Sequence, residues 1–141
     1  MDFDLITREE TLKNTLDHFK TKFFDWGTSD CACLAFHPLI QRGYENPLRK
    51  LRHYSNAVQA LRSLRKGGYP TLPDLVDSLG FDRIAPASAI ACDILSFPSD
   101  EDAITSLALH AGGDRCLAWL PNGLLAYGPY HEATIAWRVK L

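Results

Sequence analysis

Apolar residues fall at two different spacings along this chain, helical in its first half and alternating in its second. Leu12, Leu16, Phe19 and Phe23 recur one helical turn apart behind Thr7 and Glu10, a capping-box pair, and predict an amphipathic helix over roughly residues 8–24. A second apolar run, Cys31 to Phe36, follows Asp30 and predicts a helix to about Arg42 that Gly43 ends, with Pro38 expected to kink or shorten it. Its inner face would carry Cys31, Leu34 and Ala35, and Cys33 would point elsewhere. A third helix is expected from near Ser55 to Gly67-Gly68, burying Ala57, Val58, Leu61 and Leu64, and a short fourth from Leu72 to Leu79, between Thr71 and Gly80.

From Ile84 onward, turn residues recur every six to ten positions between short apolar segments at 93–97, 104–110, 115–120, 124–127 and 134–139. These read as antiparallel strands, with Gly112-Gly113-Asp114 and Asn122-Gly123 as hairpin turns. Helices followed by strands imply an α+β class, the helices packed on one face of a strongly curved sheet. With 141 residues, the expectation is one domain over 1–141, helical at about 7–80 and sheet at about 84–141.

Composition narrows the function classes. Hydrophobic residues make up 46% and charged residues 23%, ordinary globular usage, and no apolar run approaches the ~20 residues that span a bilayer. No membrane span is expected, and the acidic start Met1-Asp2-Phe3-Asp4 does not resemble a signal peptide. Cys31, Cys33, Cys92 and Cys116 show neither C-x-x-C spacing nor an adjacent histidine pair, so no metal site and no cofactor are expected, and the thiols are read as reduced. Residues 42–66 hold seven Lys or Arg against Glu45 alone, a local +6 that leaves −8 elsewhere on a chain of net charge −2. That segment reads as a solvated helix face or a partner surface. With a negative chain and no binding motif, nucleic acid is not an expected partner.

The chemistry concentrates in Trp26-Gly27-Thr28-Ser29-Asp30-Cys31. Asp30 as N-cap makes Cys31 the first helical residue, with the positive end of the helix dipole beneath its thiol, a placement that favours the nucleophilic thiolate. The plainer reading is a buried cysteine acting as a small hydrophobe.

Taken together, these features resemble the NlpC-type peptidases, papain-like cysteine hydrolases of peptidoglycan. The resemblance rests on Trp26-Gly27 leading to Asp30-Cys31, and on Cys92-Asp93-Ile94-Leu95-Ser96-Phe97, similar to that family's Gly-Asp strand. The whole chain is also similar to a set of small proteins encoded mostly by tailed phages and prophages, divergent NlpC relatives. It shares W-G-x-x-D-C, the Tyr54-to-Gly68 helix with its Gly-Gly end, the Cys92-Asp93 strand and the terminal Ala136-Trp137-Arg138-Val139.

The resemblance implies a papain-like fold, a nucleophile at Cys31 and a catalytic histidine at the start of the strand after Asp93. In the best alignment that position is Ser106, and a hydroxyl is far too weak an acid to stand in for imidazole near neutral pH. His110 lies four residues on, ~13 Å along an extended strand, and serves as the base only in a shifted register. His37 lies over a helical turn and a half past Cys31 and points to another face, and His18 is on the polar side of the first helix. His53 is in the basic cluster, and His131 would approach the thiol only if the fold returns there. The expectation is therefore a structural or adaptor component of a phage tail tip or baseplate built on an inactive NlpC-like domain. It would be made in the bacterial host cytoplasm, assembled into the virion, and partnered by other tail proteins. The alternative is an active cysteine peptidase or amidase with peptidoglycan as its partner, in which Cys31 attacks and His110 or another histidine is the base. A third reading is a binding module that uses the basic segment against an acidic partner.

Overall fold

The computed structural model describes residues 5–98 and 105–141, so Ile104, the expected start of one strand, lies outside the described residues. Among the described residues, four α-helices precede a six-stranded antiparallel sheet. They are α1 (Leu5–Phe19), α2 (Cys31–Gln41), α3 (Ala57–Lys66) and α4 (Leu72–Asp77). The strands are β1 (Asp82–Ile84), β2 (Ile94–Phe97), β3 (Ser106–His110), β4 (Arg115–Trp119), β5 (Leu125–Pro129) and β6 (Ile135–Arg138). The spatial order is β1-β6-β2-β3-β4-β5. The expected α+β class holds, and β1, too short to show in the hydrophobic pattern, is added at one edge.

Helix α1 begins before Thr7, so the Thr7–Glu10 pair does not cap it; the Thr11 hydroxyl instead donates to the Thr7 carbonyl within the helix. Its buried stripe is Arg8, Thr11, Leu12, Thr15 and Phe19, three of the five polar, and the helix stops at Phe19, leaving Phe23 65% exposed. The hydrophobic pattern found Leu12 and Phe19 but missed the polar members: Arg8 and Thr15 are satisfied by distant partners and Thr11 by the backbone one turn before it. Helix α2 starts at Cys31 as expected and runs through Pro38, which is buried. Helix α3 buries Ala60, Ser63 and Leu64, while Val58, expected inside, is 63% exposed. Helix α4 opens on a capping box between Thr71 and Asp74.

Strand alternation gives the sheet two distinct faces. Ile94, Leu107, Leu109, Leu117 and Trp137 join the main core with Leu34, Phe36 and Leu39 of α2. Leu95, Ala108, Cys116 and Ala136 form a second, smaller core on the other face, with Phe97 and Tyr130 packed against it.

Asp93 ties these layers together. Its carboxylate, fully buried, accepts from Arg8 Nη1 at 3.0 Å, Arg138 Nε at 2.7 Å and the backbone amides of Val139 and Ile90. Arg8 also donates to the carbonyls of Ala91 and Val139, so one arginine fixes α1 to the start of β2 and the end of β6. Cys92, just before, has φ +74°, in the left-handed region that favours glycine. This accounts for the glycine of the resembling Gly-Asp strand, and Cys92 Sγ meets the strained turn by donating to the Arg8 carbonyl at 3.2 Å.

Candidate functional site

Asp30 organises the turn that presents Cys31. It is 2% exposed, and its extended backbone places it as the N-cap of α2, where Oδ1 accepts from the Cys33 amide at 2.9 Å. Oδ2 accepts from the Gly27 amide at 2.9 Å and from the Tyr54 hydroxyl at 2.6 Å. Gly27 has φ +84°, and a Cβ there would stand 3.0 Å from the Tyr54 carbonyl, so a side chain fits neither the turn nor the space. The Asp30 carbonyl accepts from Trp119 Nε1 at 3.1 Å, which couples the turn to β4. Trp119 in turn meets Phe19 and Phe24 edge to face. Tyr54 and Trp119 are the site residues the sequence did not single out: Tyr54 stood only at the start of a resembling helix, and Trp119 within an expected strand.

Cys31 sits at a pocket of about 30 Å³ lined by Trp26, Leu48, Leu51, Tyr54 and Leu64, room for little more than a water molecule. The Leu107 backbone amide donates toward its sulfur. Burial pushes the thiol up to about 11, the Leu107 amide opposes that shift, and the negative charge of Asp30 adds to it. The expected lowering at the helix N-terminus is therefore overridden. At pH 7 the thiol is held in its protonated form. Cys33 is held up to about 12, by burial first and by Asp30 second.

Neither residue expected beside the thiol is brought to it. Leu107 and Leu109 belong to the core under α2, so Ser106 and His110, on alternate positions of β3, face the other way. Ser106 is exposed. His110 is 1% exposed, and its ring packs on Tyr130 in the smaller core. His110 Nδ1 accepts from the Gly112 amide at 3.0 Å, so its proton sits on Nε2, which is buried without a partner. Burial holds this histidine below its ordinary pKa. The strand position that meets Cys31 is Leu107, one residue from the expected Ser106, and its side chain has no proton to exchange.

A family model described as a domain of unknown function matches residues 5–139. The chain belongs to that family, DUF6950. No curated protein matches it in sequence. Among solved structures, it is similar to the crystal structure of the NlpC/p60 domain of the peptidoglycan hydrolase SagA. The TM-score is 0.58 at 14% identity, over 93% of this chain and 98% of that one. This DUF6950 chain therefore has an NlpC/p60-like fold, in line with the resemblance read from its motifs.

The other histidines of the DUF6950 chain are accounted for elsewhere. His37 stacks on His18 with ring centroids 4.5 Å apart. Its Nδ1 lies 2.8 Å from the Thr15 hydroxyl and 3.1 Å from Gln41 Nε2, and it is lowered to about 4 by burial and by the neighbouring His18. It serves the α1–α2 contact. His53 and His131 are exposed, and neither lines the Cys31 pocket. Among the described residues no group of three His, Cys, Asp or Glu could hold a metal ion, and no helix is long and apolar enough to cross a membrane.

Proposed function

We propose that this DUF6950 chain is a non-hydrolytic NlpC/p60-like domain that works as a structural or adaptor component of a phage tail tip or baseplate, binding other tail proteins in the virion. The observation that carries the loss of hydrolysis is the surroundings of Cys31. Nucleophilic catalysis needs a base within hydrogen-bond reach of the thiol and a third group to orient it. The thiol here meets a leucine strand position, an apolar pocket and a carboxylate that disfavours the thiolate. The tail assignment is supported by the sequence resemblance to proteins of tailed phages and prophages.

The rate of iodoacetamide labelling at Cys31 against pH, read by mass spectrometry with Cys33, Cys92 and Cys116 as internal controls, tests the first half. Labelling that stays slow up to about pH 10, together with no release of peptide from muropeptides, is expected. A midpoint well below the ~8.5 of a free thiol, with muropeptide cleavage that Cys31→Ala abolishes, would replace this reading with a cysteine peptidase or amidase. Deletion from a phage that encodes the protein tests the second half: incomplete or non-infective tails are expected, and normal tails lacking nothing but this protein would overturn the tail role.

A further inference from the structure

The two edges of the sheet are built differently. The β1 edge is three residues long and carries Asp82 and Arg83, both exposed, the usual protection against edge-to-edge pairing. The β5 strand carries no charge of its own; the nearest is Arg115 of β4, whose guanidinium stacks on the Tyr127 ring 4.4 Å from its centroid. Fifteen consecutive residues, Cys116 to Tyr130, include no Asp, Glu, Lys, Arg or His. Around this edge stand Leu120, Leu124 and Tyr127, exposed by 42, 45 and 43%, and Phe23, exposed by 65%. Phe23 lies beside the Gly123 turn, held there by the Phe24 amide donating to the Gly123 carbonyl at 2.8 Å.

The ladder shows which backbone groups of β5 are unused. Leu120 donates to the Leu124 carbonyl, and the β4–β5 register pairs Ala118 with Ala126 and Cys116 with Gly128. In an antiparallel pair, bonded positions alternate, so Leu124, Ala126 and Gly128 bond to β4 while Leu125 and Tyr127 turn their amides and carbonyls outward. Pro129, which has no N–H, closes the row.

We propose that a second copy of this chain pairs on that edge, β5 antiparallel to β5 across a two-fold axis at Ala126. Leu125 of each copy then bonds Tyr127 of the other through four backbone hydrogen bonds, and nothing is asked of Pro129. A two-fold axis sets a patch against itself. With the axis at Ala126 no charged side chain of β5 meets its copy, and each Arg115 stays stacked on its own Tyr127, whereas the basic face at 42–66 would repel its own copy. The exposed side chains of Leu124, Tyr127 and Phe23 supply the apolar contact, and the two sheets become one. This pairing does not depend on the proposed tail role.

Sedimentation equilibrium of the full chain from ~1 µM to ~1 mM spans the range of weak to firm dimers. A monomer–dimer equilibrium is expected, weakened about tenfold or more by Ala126→Lys, which places two lysines directly opposite each other. Leu124→Lys, at an exposed position, should weaken it in the same direction, and Arg62→Glu on the basic face should leave it unchanged. Amide hydrogen exchange gives a second reading on the unaltered protein. The Leu125 and Tyr127 amides should slow as concentration rises, while those of Ala126 and Gly128, bonded to β4, stay protected throughout. A monomer across the whole range, or a dimer whose Leu125 and Tyr127 amides exchange freely, would overturn the proposal; so would a dimer indifferent to both lysine variants.

Discussion

Asp30 and Asp93 are both buried, and each stands beside a cysteine, but their carboxylates are satisfied in opposite ways. Asp93 is paired with two arginines, Arg8 and Arg138, and with two backbone amides. Asp30 accepts from two amides and a phenol, all neutral. The first arrangement neutralises its charge and fastens α1 to the sheet. The second leaves a negative charge next to Cys31, where it helps to hold the thiol protonated. In this molecule a buried aspartate with cations locks a fold, and one without them sets the chemistry of its neighbour.

The sharpest way to break that contrast is at the paired aspartate. Arg8→Met leaves Asp93 buried with one of its two cations gone. It is expected to cost ~3–5 kcal/mol, because an uncompensated buried charge costs more than the pair contributed. Thermal unfolding should show Tm lower by about 10–20 °C, and an unchanged Tm would mean that the α1 anchor carries little of the fold.

At the other centre the effect should fall on reactivity more than stability. Asp30→Asn keeps an oxygen for the Cys33 amide and removes the charge, but its NH2 cannot accept from the Gly27 amide, so stability should drop by ~1–3 kcal/mol in urea unfolding. The Cys31 thiol should move down from about 11, read as an alkylation profile displaced to lower pH. The sign follows from the charge alone: a nearby carboxylate disfavours the thiolate, and its loss favours it. A profile that does not move would leave burial as the whole cause.

The smallest effect is expected at Cys92. Relief of its left-handed backbone by Cys92→Gly is set against the loss of a buried side chain and of the contact with the Arg8 carbonyl, so the net change should stay within ~1 kcal/mol. Cys92→Val, β-branched at the same positive φ, should destabilise by ~2 kcal/mol or more. Denaturation midpoints of the pair separate backbone strain from packing. Equal losses would show that the position is governed by volume.

Much of this architecture is local chemistry and was legible in the chain. The Asp30 cap, the start of α2 at Cys31, the Gly112-Gly113 and Asn122-Gly123 hairpins and the order of helices before strands follow from caps, turns and periodicity within a few residues. The NlpC-like resemblance was carried by short motifs of the same kind, and the similarity to the SagA domain agrees with it.

What the chain could not show is long-range. The polar stripe of α1 becomes interior only because Arg8 meets Asp93, 85 residues away, and Thr15 meets His37. The face of β3 that meets Cys31 depends on a one-residue register, and that register put Leu107 under the thiol and turned Ser106 and His110 to the far side. The pKa of Cys31 was decided in the same way. Its place at a helix N-terminus is a local fact that favours the thiolate. The pocket wall of Leu48, Leu51 and Leu64, contributed by segments that only the tertiary fold brings together, desolvates it and wins. Caps and turns bond within a few residues and are written in the sequence. Burial and register are properties of which surfaces meet, and only the folded chain decides them.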